Sequence, residues 1–580
     1  MGTPRTSRRI TSRLTQHVLL GGSLLVLGVF LVYPILLTVR GGFYKDASAR
    51  TGFTLEHLAM VVTDPRLLGA LGNSVKLASG TTLLAMLIAL PLAVLSAGYR
   101  FPGKAFFNAA VLVPLILPPF VGAIGMRAIL GREGALNAAL GLDLDILGSA
   151  KVLGVMCMQA LGLYPIIYLN ASAALANLDP ALDESARNLG AGFWTRFLRV
   201  TLPLVRPGLF AGATIVFIWS FTELGTPLMF DYYSVAPVQI FNGLKEVEGS
   251  ARPYALTLVM LTMAVGMYLL GKFVFGKRGY SMNLRAARAG DVTPLTGIAG
   301  WAAAGLFGLV SLAAISPHIG VVLTSFSAPG QWYQTALPSV FTTSHYYQAL
   351  TAADSFGAIQ NSLKLAAVAM VVDIGFGLLV GYLIVRTQLR LRWLLDALCM
   401  LPLAVPGLVL AFGYVAMSLR WPFGKDGPLS AFASILSADP NPVPFLIVAY
   451  SIRRLPYIVR STVAGLEQTS GELEEAALNL GASKLTAIRR VIVPLIAANL
   501  IAGGLLVFSF SMLEVSDSLI LAQQSGDYPI TKAILAFMDR LGDGPYIASA
   551  LGVWGMALLT CTIFAASSLL GKKLGAVFRV

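Results

Sequence analysis

Long uncharged apolar runs dominate this chain and fix the solvent it folds in. Twelve can be read, at roughly 18–39, 71–98, 105–130, 151–177, 206–230, 253–275, 296–325, 361–385, 393–418, 442–466, 495–522 and 547–570. About 20 apolar residues cross a bilayer core as a helix. Inside lipid every backbone N–H and C=O must be satisfied within the span, so each run is expected to be helical. The short alternating segments of a membrane barrel are not seen. Of the 580 residues, 56% are hydrophobic and only 12% are charged, with mean hydropathy +0.75. Soluble domains carry about twice that charged share. The expected fold is an all-α polytopic membrane protein of about twelve transmembrane helices.

The net charge of +14 does not argue for a nucleic-acid partner. Its basic residues cluster in alternate loops: Arg100 and Lys104; Arg187, Arg196, Arg199 and Arg206; Lys277, Arg278, Arg285 and Arg288; Arg386, Arg390 and Arg392; Lys484, Arg489 and Arg490; Lys572, Lys573 and Arg579. That is the positive-inside pattern, and it predicts both termini on the cytoplasmic side. Arg5, Arg8, Arg9 and Arg13 precede the first run. This run is too long for a signal-peptide core and no small-residue cleavage site follows, so a signal-anchor helix is expected. Cys157, Cys399 and Cys561 sit in apolar runs, which implies no disulfide framework. His17, His57, His318 and His345 lack metal-ligand spacing, so no metal site and no bound cofactor are expected.

The chain repeats itself. Asn73-Ser74-Val75-Lys76-Leu77 matches Asn361-Ser362-Leu363-Lys364-Leu365, and Pro114 and Pro118 match Pro402 and Pro406, at an offset of 288 (361 − 73). Later, Glu184, Ala186, Gly190 and Pro203 match Glu475, Ala477, Gly481 and Pro494 at 291 (475 − 184), and Phe217, Ser220 and Glu223 match Phe508, Ser511 and Glu514. The halves are therefore 1–290 and 291–580, with a basic linker near 277–295. Six spans in each keep the copies parallel, related by an axis along the membrane normal.

The matched segments 179–203 and 470–494 do not read as spans. Asp179 can cap a helix and Pro180 suits its first position; Ser470 stands where Asp179 does. Asp183, Glu184, Glu474 and Glu475 fall in the first turns, at the positive end of a helix dipole. Gly190 and Gly481 permit a sharp change of direction, and Pro203 and Pro494 are expected to end a second short helix. An amphipathic helix, a glycine break and a second helix make a docking element, and two copies suggest two sockets on a partner.

These residues resemble the EAA loop of permeases in binding-protein-dependent ABC importers. The first loop has Ser185 for the first Ala of that motif, and the second has Val493 where Leu is usual; neither change removes the carboxylate, the glycine or the proline. The resemblance covers nearly the whole chain, each half looking like one six-span permease. It implies two cytoplasmic ATPase subunits that carry ATP and magnesium and seat the loops. It also implies a periplasmic protein that delivers the solute. By this resemblance Glu184, Ala186, Gly190, Pro203, Glu475, Ala477, Gly481 and Pro494 are ATPase-coupling residues. The chain has no P-loop, His-Glu-x-x-His or Gly-x-Ser-x-Gly pattern, so no catalytic residues are expected. Two halves in one chain and the stretch Arg453-Arg454-Leu455-Pro456-Tyr457 look most like the ferric iron type. Phosphonate, thiamine, polyamine and sulfate relatives share the scaffold.

The pathway candidates are Glu223, Glu514, Asp517, Arg453, Arg454 and Arg460. At about 1.5 Å per residue the two glutamates fall roughly 27 Å from the cytoplasmic end of their spans, near the outer mouth. There they can draw in a cation or seat the delivery protein, or they are simply helix-end carboxylates. Arg453, Arg454 and Arg460 either face a cavity and meet an anion or are positive-inside charges on a helix that leaves the membrane. Leu163 and Leu169 hold the places of Arg454 and Arg460 in the first half. A twelve-span transporter driven by an ion gradient is the competing class, and it has no need of twin docking loops.

Overall fold

The computed structural model describes residues 5–46, 51–116, 118–176, 178–246, 250–276, 293–437 and 439–570. Most of this is helix. Two small strand pairs accompany it: Tyr44–Asp46 antiparallel with Thr51–Phe53, and Tyr99–Arg100 parallel with Thr293–Pro294. Most of the expected linker, 277–292, lies outside the described residues.

Among the described residues eight helices are long and apolar enough to cross a membrane, or eleven if each sharply bent pair is one span. The expected count of twelve is not reached, and charge is the reason. Helix Val443–Glu467 has 25 residues but carries Arg453, Arg454 and Arg460 along it. Two other spans expected to be continuous are bent, and the second loop bends where it rejoins its span. Lys104–Leu115 meets Pro119–Leu140 at 98°, Arg392–Ala404 meets Gly407–Ser418 at 105°, and Lys484–Leu495 meets Ala497–Met512 at 77°. Pro118 and Pro406, with ψ of 130° and 132°, stand at the first two breaks. Proline has no N–H to continue the ladder, so these matched prolines break the helix outright rather than kink it.

The repeat is exact in its long helices. Pro65–Gly98 and Ala353–Arg386 both have 34 residues and are in register at 288. Each lies along the next long helix of its half, Lys151–Ala176 or Val443–Glu467. The halves also cross over. Tyr33–Gly41, from the first half, packs on Gly407–Ser418 of the second; Gly297–Phe326, from the second, packs on Pro119–Leu130 of the first. Matched glycines make both crossings close. A Cβ at Gly413 would stand 2.6 Å from the Pro34 carbonyl oxygen, and one at Gly125 would overlap the Pro317 carbonyl. Tyr414 Oη donates to the Phe30 carbonyl at 2.7 Å, inside the π-turn Gly28–Val32.

The Asn-Ser repeat acquires a physical meaning. Asn73 Nδ2 donates to the Ser234 carbonyl at 2.9 Å, and Ser74 Oγ accepts from Ala236 N at 2.9 Å. Asn361 Nδ2 donates to the Gly526 carbonyl at 2.8 Å, and Ser362 Oγ accepts from Ile530 N at 2.8 Å. Each pair pins the start of a helix, Ala236–Asn242 or Ile530–Met538, satisfying N-terminal groups the helix leaves free.

Replacing Gly413 by Leu should cost about 1–3 kcal/mol through overpacking against Pro34. Gly266→Leu, where nothing lies within 4 Å, should cost less. Thermal unfolding of the purified protein in detergent checks both; equal losses would remove the crossing as the cause.

Candidate functional site

All four matched breaks in the fold meet at one place. Helix Leu202–Thr222 ends at Glu223 and restarts as Gly225–Met229; helix Ala497–Met512 ends just before Glu514 and restarts as Ser516–Leu521. The runs 206–230 and 495–522 are therefore interrupted at their carboxylates. These joints and the proline breaks line a shared cavity of 240 Å³ with Arg453 and Arg454. Backbone that leaves helical geometry at membrane depth is tolerated where it is buried in protein or lines a cavity. Glu223 and Glu514 both line this cavity.

The charges are paired across helices. Arg453 Nη1 stands 3.1 Å from Glu514 Oε1 and 3.6 Å from Asp517 Oδ2. Arg454 Nη2 pairs with Glu514 Oε2 and donates to the Phe510 carbonyl at 3.1 Å, its guanidinium 5.6 Å from the Phe510 ring centre. Glu514 is 4% exposed and Asp517 is 0% exposed, so the carboxylates depend on these arginines. Gly407 is part of the arrangement, since a Cβ there would overlap the Arg453 guanidinium. The turn at Glu514 is fixed by its backbone: Ser518 Oγ and Thr531 Oγ1 both donate to its carbonyl, at 2.5 and 2.6 Å, and Tyr450 Oη bonds Ser518 Oγ at 2.6 Å.

The first half lacks most of this. Glu223 accepts from Thr226 N at 3.3 Å and Thr226 Oγ1 at 3.5 Å. Gly162, Leu163 and Thr226 hold the positions of Arg453, Arg454 and Asp517 (each 291 lower). Arg460 is not part of the cluster. It is exposed, with Nε 3.2 Å from Met400 Sδ.

The matched loops fold alike. Asp179 accepts from Ala181 N at 3.0 Å and caps Pro180–Asn188; Ser470 Oγ accepts from Glu472 N at 3.2 Å beside helix Glu472–Asn479. Gly190 and Gly481 have φ of 81° and 94°, the left-handed region that residues with a Cβ avoid. Glu184 and Glu475 are exposed, and Ala186 and Ala477 are half-buried. Pro203 does not end the second helix, whereas beside Pro494 that helix does end, at Leu495. A π-turn precedes each, Phe197–Thr201 or Ile488–Ile492, and the looser π-turn geometry carries the chain past the missing N–H. In the first half the helix then runs on to Thr222, whereas in the second it bends after Leu495.

Sequence reasoning missed the apolar residues these loops expose. Leu189 is 88% exposed and its counterpart Leu480 is 90% exposed; Leu182 and Leu473, and Trp194 and Leu485, are further matched exposed pairs. All six lie at the 291 offset, so their signal was an apolar residue in both copies of an otherwise polar loop.

This fold and site define a membrane protein with a pathway-like cavity between two repeats and a pair of apolar-tipped loops. The chain belongs to the family described as binding-protein-dependent transport system inner membrane component, whose profile matches twice, at residues 89–276 and 373–569. It is thus a two-half ABC importer permease in one polypeptide. It is similar to the putative ferric transport system permease protein FbpB 1 of Haemophilus influenzae, at 25% identity over 85% of this chain and 76% of that protein. It is similar to the ferric transport system permease protein FbpB of Actinobacillus pleuropneumoniae, at 25% identity over 91% and 74%. It also resembles the molybdenum transport system permease protein ModB of Escherichia coli K12, at 33% identity over 37% of this chain and 96% of ModB.

Arg454→Met should destabilise the protein by about 3–5 kcal/mol, because it leaves Glu514 short of a partner. Adding Glu514→Gln should recover much of the loss. Unfolding of both variants in lipid nanodiscs measures this; a double variant no better than the single one would show that the pair is not what the helices need.

Proposed function

We propose that this chain forms the translocation pathway of an ATP-driven importer whose cargo is ferric iron delivered by a periplasmic binding protein. The observation that carries the importer reading is the matched pair of loops, each a capped helix turned by a left-handed glycine and tipped with exposed apolar side chains. Such patches are expected to meet a partner. We assign them to two cytoplasmic ATPase subunits, which hold the ATP and magnesium; hydrolysis takes place there. Glu184, Ala186, Gly190 and Pro203, with Glu475, Ala477, Gly481 and Pro494, form the coupling segments. The protein then sits in a bacterial inner membrane with both termini and both loops in the cytoplasm, in halves 1–290 and 291–580.

Ferric cargo is favoured because the ferric permeases align with this chain over both halves, whereas the molybdenum permease aligns with little more than a third of it. An oxyanion cargo is the second reading, and one feature supports it. Arg453 and Arg454 line the cavity together with Pro119 and Gly407, the first residues of two half-helices. Helix N-termini and guanidinium groups both favour negative charge.

Leu189→Asp with Leu480→Asp should abolish copurification of an ATPase while the chain remains inserted; retained copurification would count against docking through these loops. Uptake by proteoliposomes of the complete importer should accumulate radioactive iron, and uptake of molybdate in its place would select the oxyanion reading.

A further inference from the structure

The second loop is fastened to its bundle in a way the first is not. Glu474, beside Glu475, is buried. It accepts a hydrogen bond from Tyr382 Oη at 2.6 Å, and Arg386 Nε stands 3.9 Å from its other oxygen. Tyr382 and Arg386 lie one turn apart near the end of helix Ala353–Arg386. Arg386 Nη2 also donates to the Leu466 carbonyl at 3.1 Å and the Thr469 carbonyl at 2.7 Å. Those acceptors are the end of helix Val443–Glu467 and the start of the loop. Three elements thus meet on one guanidinium: the loop helix, the long helix beside it, and the helix that carries Arg453 and Arg454.

The first half has no such joint. Val94 and Gly98 stand at the places of Tyr382 and Arg386 (288 lower), and Asp183 stands at the place of Glu474 (291 lower). Asp183 instead pairs with Arg196 of its own loop at 2.9 Å. The chain after Gly98 pairs with Thr293–Pro294 rather than with the loop helix.

We propose that Glu474, Tyr382 and Arg386 are positioning residues that make the second loop the driving one. A displacement of helix Glu472–Asn479 reaches the arginine-bearing helix through this joint, while the first loop is braced within itself and transmits less. The two halves then contribute unequally to moving the charged cluster. This rests on reading the loops as ATPase-docking elements.

The test uses the complete importer, this chain with its ATPase and binding protein, in proteoliposomes. The readouts are the ratio of binding-protein-stimulated to basal ATP hydrolysis and the uptake of iron. Glu474→Gln should lower the ratio by roughly fivefold or more, with iron uptake falling in parallel and the ATPase still copurifying. Tyr382→Phe, which removes one hydroxyl and little else, should lower it in the same direction. Arg386→Gln added to Glu474→Gln should cause little further loss, since groups acting through one joint are not additive. Asp183→Asn, which breaks an exposed pair, should lower the ratio by less than about twofold. Equal losses from Asp183→Asn and Glu474→Gln, or full stimulation in both Glu474→Gln and Tyr382→Phe, would overturn the proposal. A wild-type chain that copurifies no ATPase would instead overturn the docking reading beneath it.

Discussion

Neutralising charge inside an apolar fold is the constraint on which the rest depends. Asp517 and Glu514 are buried against Arg453 and Arg454, and burying either sign of charge without the other is costly. The surroundings follow from that requirement. Gly407 is bare because the Arg453 guanidinium occupies the space a side chain would fill. The chain turns at Glu514, held by the Ser518 and Thr531 hydroxyls, so that the carboxylate faces the arginines. The helix that carries the arginines is consequently too polar to pass as a simple span, although it packs like its apolar counterpart in the other half.

The two halves share one architecture and divide its chemistry. Long helices, proline breaks, carboxylate joints, Asn-Ser pins and left-handed loop glycines all occur twice. The arginines, Asp517 and the Glu474 joint occur once, all in the second half. Joining both halves in one polypeptide lets each drift without compromising an identical partner. A permease assembled from two copies of one such second half would carry four of these arginines.

Periodicity and spacing revealed much of this. The repeat offsets, the membrane class, the capped loop helices and the positive φ at Gly190 and Gly481 were all legible, because each depends on local chemistry. The breaks were not. An apolar run such as 393–418 looks continuous, and only packing decides whether Pro402 and Pro406 kink it or sever it. The proline stop expected at Pro203 failed because a π-turn, which has no composition signature, absorbs the residue. Arg453 and Arg454 were legible as odd charges, but their partners lie about 60 residues along the chain and only the fold brings them together. Arg460, identical in type and close in sequence, lies roughly 10 Å further along the helix than Arg453 at about 1.5 Å per residue, beyond the reach of the carboxylates, and meets Met400 instead.

The crossing of first helices has a consequence for biogenesis. Helix Pro119–Leu130 presents its Gly125 groove long before its cover, Gly297–Phe326, has left the ribosome. The amino-terminal half alone therefore lacks the helix that fills this seam in the folded chain. Synthesis as a single polypeptide supplies the missing cover at equal stoichiometry and at high local concentration, so the seam need not wait for a chance encounter in the lipid.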